Sequence, residues 1–114
     1  VFEVSEERFA EMIGDALDAI PSELAGEMEN VAIFVEDEAE SRQLFGLYEG
    51  IPLTKRSGYG YGRTMPDKIT LYRMTICSRC STEEEVAEQV RITLIHEVGH
   101  HFGIDDPRLR QLGW

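Results

Sequence analysis

The residues best equipped for chemistry stand near the end of the chain, in the run His96-Glu97-Val98-Gly99-His100-His101-Phe102-Gly103-Ile104-Asp105-Asp106. A helix turns ~100° per residue and rises ~1.5 Å, so side chains four apart share a face about one turn apart. His96 and His100 can therefore aim imidazole nitrogens at one point, and Glu97 brings a carboxylate beside that point without binding there. Two imidazoles holding a cation, with a carboxylate left to take a proton, suit metal-assisted hydrolysis. A catalytic zinc takes three protein ligands and keeps one position for water. Gly103 suits the left-handed residue that ends a helix. Beyond it the chain can double back and bring Asp106 to the metal, with Asp105 the second choice. His, His and Asp with an open position favour Zn2+, one per chain. His101 lies one residue off the metal face and is expected behind the ligands or on the surface, not as a ligand.

These residues need a helix, and the preceding sequence supplies one. Ser81-x-x-Glu84 reads as a capping box, and Glu83, Glu84 and Glu85 suit the positive end of a helix. Val86, Val90, Leu94 and Val98, with Ile92, Ile95 and Phe102, wrap most of its surface, which predicts a helix buried at the centre of the fold. His96 and His100 fall on the remaining polar strip with Gln89 and Thr93. A first helix is expected over 6–19, with Ser5 as N-cap and Phe9, Met12, Ile13, Ala16, Leu17 and Ile20 as its apolar stripe. Pro21 ends it or opens a short turn through residues 22–24.

Between the helices lie strand signals. The apolar run 31–35 reads as a strand buried on both faces, hence central. Residues 36–40 form an acidic loop without the spacing or glycine of a calcium-binding loop. A short strand over 46–48 closes at Glu49-Gly50 and Pro52. Residues 54–67 carry Ser57-Gly58-Tyr59-Gly60-Tyr61-Gly62, too rich in glycine for a regular element. They read as a surface loop or as a flap over a cleft. Residues 68–73 alternate polar and apolar, which predicts a strand near a sheet edge with one wet face. Cys77-Ser78-Arg79-Cys80 has no second cysteine pair to complete a zinc knuckle, so it reads as plain thiols or a pair able to oxidise.

The 114 residues suffice for one domain, 1–114, with a core of its own. A net charge of −11 repels phosphates and argues against nucleic acid as a partner. No apolar run is long enough to span a membrane, and residues 1–7 have no apolar segment of the kind a signal peptide needs. Two cysteines do not make a disulfide framework. The expected location is cytoplasmic.

The His-Glu-x-x-His-x-x-Gly-x-x-Asp run resembles the zincin metallopeptidases, in the extended form seen in metzincin-type enzymes but with Asp in place of the last His, as in snapalysin-like enzymes. The whole chain is similar to a group of small bacterial minimal zincin-like metallopeptidases. Further stretches that carry the likeness are Val31-Ala32-Ile33-Phe34-Val35-Glu36-Asp37, Gly46-Leu47-Tyr48-Glu49-Gly50-Ile51-Pro52-Leu53-Thr54, Pro66-Asp67-Lys68-Ile69-Thr70-Leu71-Tyr72 and Leu112-Gly113-Trp114. The resemblance implies an α+β fold, with a small mixed β-sheet packed against an N-terminal helix and a buried C-terminal active-site helix. It also implies a peptide or protein substrate lying along an edge strand, a role that the strand over 68–73 could fill. Metzincin-type enzymes carry a turn with a methionine under the metal, and none of the residues after Asp106 is methionine. Under this reading zinc acidifies water, Glu97 takes its proton, and Tyr59, Tyr61 or Tyr72 helps hold the oxyanion. Two other readings stand beside it: a non-catalytic metal-bound module that binds peptides, and a structural domain that keeps its histidines for packing.

Overall fold

The computed structural model describes residues 1–20, 31–40, 44–50, 67–103, 107 and 111. Helix α1 spans Glu6–Asp18, with Ala19 as its C-cap. It starts where predicted because Ser5 is extended and its hydroxyl accepts from the Arg8 N–H at 3.0 Å. That bond satisfies one of the amide donors that every helix start leaves unpaired. Phe9, Met12, Ile13 and Ala16 are buried, so the stripe faces the core.

Strands β1 (Val31–Glu36), β2 (Gly46–Glu49) and β3 (Asp67–Tyr72) form a sheet in the order β1-β3-β2. β1 runs parallel to β3 and β2 antiparallel to it, which gives the expected mixed sheet. The roles of two strands are the reverse of the sequence expectation. β3 is the central strand, with all its residues buried except half-buried Lys68, and β1 is at an edge of the described sheet. Phe34 and Val35 of β1 stand 48% and 37% exposed. An apolar run signals a central strand only when both its faces are covered, and here the end of β1 projects beyond its cover. The alternation in β3 is real but does not make a wet face. Thr70 and Tyr72 are buried beside the central ladder, and only Lys68 reaches out, its ammonium 5.0 Å from the centre of the Phe34 ring.

Arg73 is not the end of the strand. It opens a short helix, α2, over Arg73–Ser78. Its guanidinium donates to the Val4 carbonyl at 2.6 Å and to Asp37 at 3.0 Å, tying the segment before α1 and the end of β1 to the end of β3. Cys77 and Cys80 are buried free thiols.

Helix α3 runs over Glu83–His101. Its cap lies one residue later than predicted. The Thr82 hydroxyl accepts from the Glu85 N–H at 3.1 Å, and the Glu85 carboxylate accepts from the Ser81 N–H at 2.6 Å. Ser81-Thr82 and Glu84-Glu85 fit the sequence pattern in either frame; the structure caps with Thr82, and Glu85 reaches back to the N–H one residue before the cap. Val86, Val90, Leu94 and Val98 are buried, but Ile92 is 41% exposed, so α3 is covered along one side and not all round. That side meets α1, β2 and β3, and the core forms between Phe9, Met12, Ile69, Leu71, Val90 and Leu94. The architecture is α+β, with N-terminal helix, mixed sheet and C-terminal helix packed together. Among the described residues no helix is long and apolar enough to cross a membrane. The turn at 21–24, the glycine-rich run 54–66 with Tyr59 and Tyr61, and both Asp105 and Asp106 lie outside the described residues.

Candidate metal centre

The last two turns of α3 bring His96, Glu97 and His100 together. One ligand atom from each lies within 4.8 Å of the others. The imidazole rings are 5.0 Å apart between centres and nearly perpendicular, at 84°. The four-residue spacing does this by itself, since it returns the second histidine to the face of the first. Glu97 is buried, whereas both histidines are half-buried. Two borderline nitrogen donors and a carboxylate at this separation can hold a divalent cation, and zinc suits such a donor set.

The strand that supports this cluster is β2. A Cβ placed on Gly46 would lie 2.7 Å from Thr93 Cγ2, 3.2 Å from Leu71 Cδ2 and 3.3 Å from Glu97 Cγ. Glycine there lets β2 lie against α3 directly behind the Glu97 side chain. Beside it opens a cleft of about 280 Å³, lined by Leu44, Phe45, Gly46, Gln89, Ile92, Thr93, His96 and Glu97. Gln89 donates to the Thr93 hydroxyl at 3.1 Å along its wall. A larger hollow of about 600 Å³ lies by Glu6, Ala10 and residues 35–38 and contains none of the predicted site residues.

His101 is neither at the surface nor among the clustered ligand atoms. It is 1% exposed, and its Nδ1 lies 2.7 Å from Asp67 Oδ2. The Tyr48 hydroxyl donates to the same carboxylate oxygen at 2.5 Å. Carboxylate oxygens of Asp67 accept, so Nδ1 carries the proton in this bond. Sequence reasoning passed over both Asp67 and Tyr48. The signal that could have found them was an aspartate opening an alternating strand in phase with its apolar residues Ile69 and Leu71, a position where a charge needs partners. Gly50 gives the carboxylate its room, since a Cβ there would fall 2.5 Å from Asp67 Cγ.

β2 meets α3 at two points, Gly46 against Thr93 and Glu97, and Tyr48 against His101, with ring centres 6.0 Å apart. Two strand residues advance ~6.6 Å and four helix residues ~6 Å, so the two contacts stay in step. The pairing register puts Gly46, Tyr48, Asp67, Ile69 and Leu71 on the face toward α3. Tyr72 shares the opposite face with Lys68 and Thr70, which removes it as a partner for groups in the cleft. Burial first, then the carboxylates of Glu36, Glu49 and Glu40, hold its phenol above the usual range.

The helix ends as predicted. Gly103 has φ +78°, in the left-handed region, and its N–H donates to the His100 carbonyl at 2.9 Å.

Comparison with known proteins agrees with this geometry. The family described as zincin-like metallopeptidase matches residues 28–114. No curated protein matches the chain. Among solved structures, a conserved hypothetical protein from T. thermophilus is similar, with a TM-score of 0.60 and 22% identity. The match covers 96% of this chain and 97% of that one, a likeness of fold along nearly the whole length.

Proposed function

The chain belongs to the zincin-like metallopeptidase family, and from that premise we propose that it is a zinc-dependent peptidase in which Glu97 is the catalytic base. The observation that carries the reading is the meeting of His96, Glu97 and His100 ligand atoms within 4.8 Å. His96, His100 and Asp106 would hold one zinc ion, whose chemistry is to acidify water and polarise a carbonyl. Glu97 accepts a proton from the water as its oxygen bonds to the peptide carbonyl carbon. The same carboxyl group then gives that proton to the nitrogen as the carbon–nitrogen bond breaks. Burial of Glu97 and the tight packing behind it at Gly46 keep the carboxylate pointing one way.

The substrate is a peptide or protein segment in extended form. β2 borders the cleft and pairs only with β3 among the described strands, so it takes the place the sequence reading gave to 68–73. Backbone pairing along β2 would lay the peptide across His96 and Glu97. The net charge of −11 disfavours nucleic acid as a partner.

The test is hydrolysis of a mixed peptide library, with zinc content measured on the same samples. Wild type should release new amino termini, and Glu97→Gln should bind zinc yet lose about 10²–10⁴-fold in rate. Equal product from both would remove Glu97 from the mechanism, and zinc-bound wild type that releases no product would leave a peptide-binding module. Protein that folds fully and takes up no zinc would leave the histidines a packing role.

A further inference from the structure

The last turn of a helix frays, because its final carbonyls lack partners within the helix. His100 sits in that turn, one residue before the end of α3. A metal ligand on a fraying turn would lose affinity to the entropy of ordering it. The structure counters this with a polar anchor that the peptidase chemistry does not use. His101 turns ~100° away from His100 and plunges into the sheet, where it is 1% exposed and 2.7 Å from Asp67. Asp67 opens the central strand, its side chain is 4% exposed, and it also accepts from Tyr48 on β2. The ring of Phe102 packs edge-on to His101, 5.2 Å between centres.

We propose that Asp67 and Tyr48, acting through His101, are positioning residues that set the metal affinity of the site. They fix the backbone from which His100 projects and the point from which the chain leaves past Gly103. The proposal rests on His96 and His100 being metal ligands. Burial makes the anchor effective, because a charge-assisted bond away from water is strong and leaving it unmade is costly.

The experiment uses the full chain. Zinc dissociation constants are measured by chelator competition, visible spectra are recorded with cobalt(II) in place of zinc, and folding is followed by circular dichroism. Asp67→Asn and His101→Ala should stay folded at the assay temperature, lose about tenfold or more in zinc affinity and alter the cobalt spectrum. His101→Asn places an amide N–H where Nδ1 stands and should recover most of the loss. Tyr48→Phe keeps the ring and removes one donor, so it should shift affinity in the same direction by less, and it serves where Asp67→Asn does not fold. Wild-type affinity and an unchanged cobalt spectrum in folded Asp67→Asn and Tyr48→Phe would overturn the proposal while the metal site stands. Wild type that binds neither metal would overturn the site itself, a different and recognisable result.

Discussion

Gly46→Ala adds one methyl group at the point where β2 rests on α3. That methyl would sit 2.7 Å from Thr93 Cγ2, about 1 Å inside ordinary carbon contact, and 3.2–3.3 Å from Leu71 and Glu97. Thr93 is 5% exposed and accepts from Gln89, and its branched side chain has a stiff first torsion, so it gives way poorly. Overpacking of this kind costs about 1–3 kcal/mol. Alanine also narrows the unfolded ensemble, which offsets about 0.4–1 kcal/mol. The net loss is therefore about 0–2.6 kcal/mol, a fall in Tm of up to about 10 °C for a chain of this size. Activity should fall further than stability, because Glu97 lies against the intruding atom and a displacement of about 1 Å costs about a hundredfold. Thermal melting and kcat/KM on a cleavable peptide measure the two effects. Gly46→Ala/Thr93→Ser removes the struck methyl while keeping the hydroxyl, and should restore most of both. A single alanine variant that melts at or above wild type with full activity would refute the account of how β2 backs Glu97.

Asp106→Ala should weaken zinc binding far more than Asp105→Ala, as read by chelator competition, and the reverse ranking would move the third ligand to Asp105. Zinc at a hundred times its dissociation constant should add about 2.7 kcal/mol to unfolding, so chelation should lower Tm, and a Tm indifferent to metal would count against a site formed only in the folded state. Arg73→Met should cost about 2–3 kcal/mol in denaturant titration, because it leaves the Val4 carbonyl without its buried donor. Burial above all, then Glu85, raises the Cys80 thiol, and burial likewise raises the Tyr72 phenol. An acid raised in the folded state contributes stability below its unfolded pKa and loses it as pH climbs through the folded one. Tm should thus hold to the ordinary thiol range and then decline through the phenol range, whereas a flat profile up to pH ~11 would contradict both shifts.

Features set by neighbours in sequence were legible. The spacing of His96, Glu97 and His100, the Ser5 cap and the left-handed Gly103 follow from one turn of backbone each. Where two local frames were equally good, as at Ser81-Thr82 with Glu84-Glu85, the reading slipped by a residue. What depends on pairing at a distance was not legible. Nothing in residues 31–35 or 68–73 says which strand will be flanked on both sides, and in the described sheet the apolar run went to the edge while the alternating one went to the centre. His101 and Asp67 stand 34 positions apart and Tyr48 a further 19, so their bonds exist only once the sheet has met the helix. The need for glycine at 46 was not legible either, because the side chains a Cβ there would strike, Thr93, Leu71 and Glu97, belong to no stretch of sequence near it.

The matched pitch of β2 and α3 has a consequence for how this segment can change. Side chains along a strand alternate faces, so one residue inserted between Gly46 and Tyr48 would turn one of them out through the sheet. Either the gap behind Glu97 would be filled by a side chain, or Asp67 would lose its phenol. Leu47 lies on the other face with Thr70, and the count from 46 to 48 is fixed. The strand behaves as a ruler with two marks, and the chemistry on the helix is set out against it.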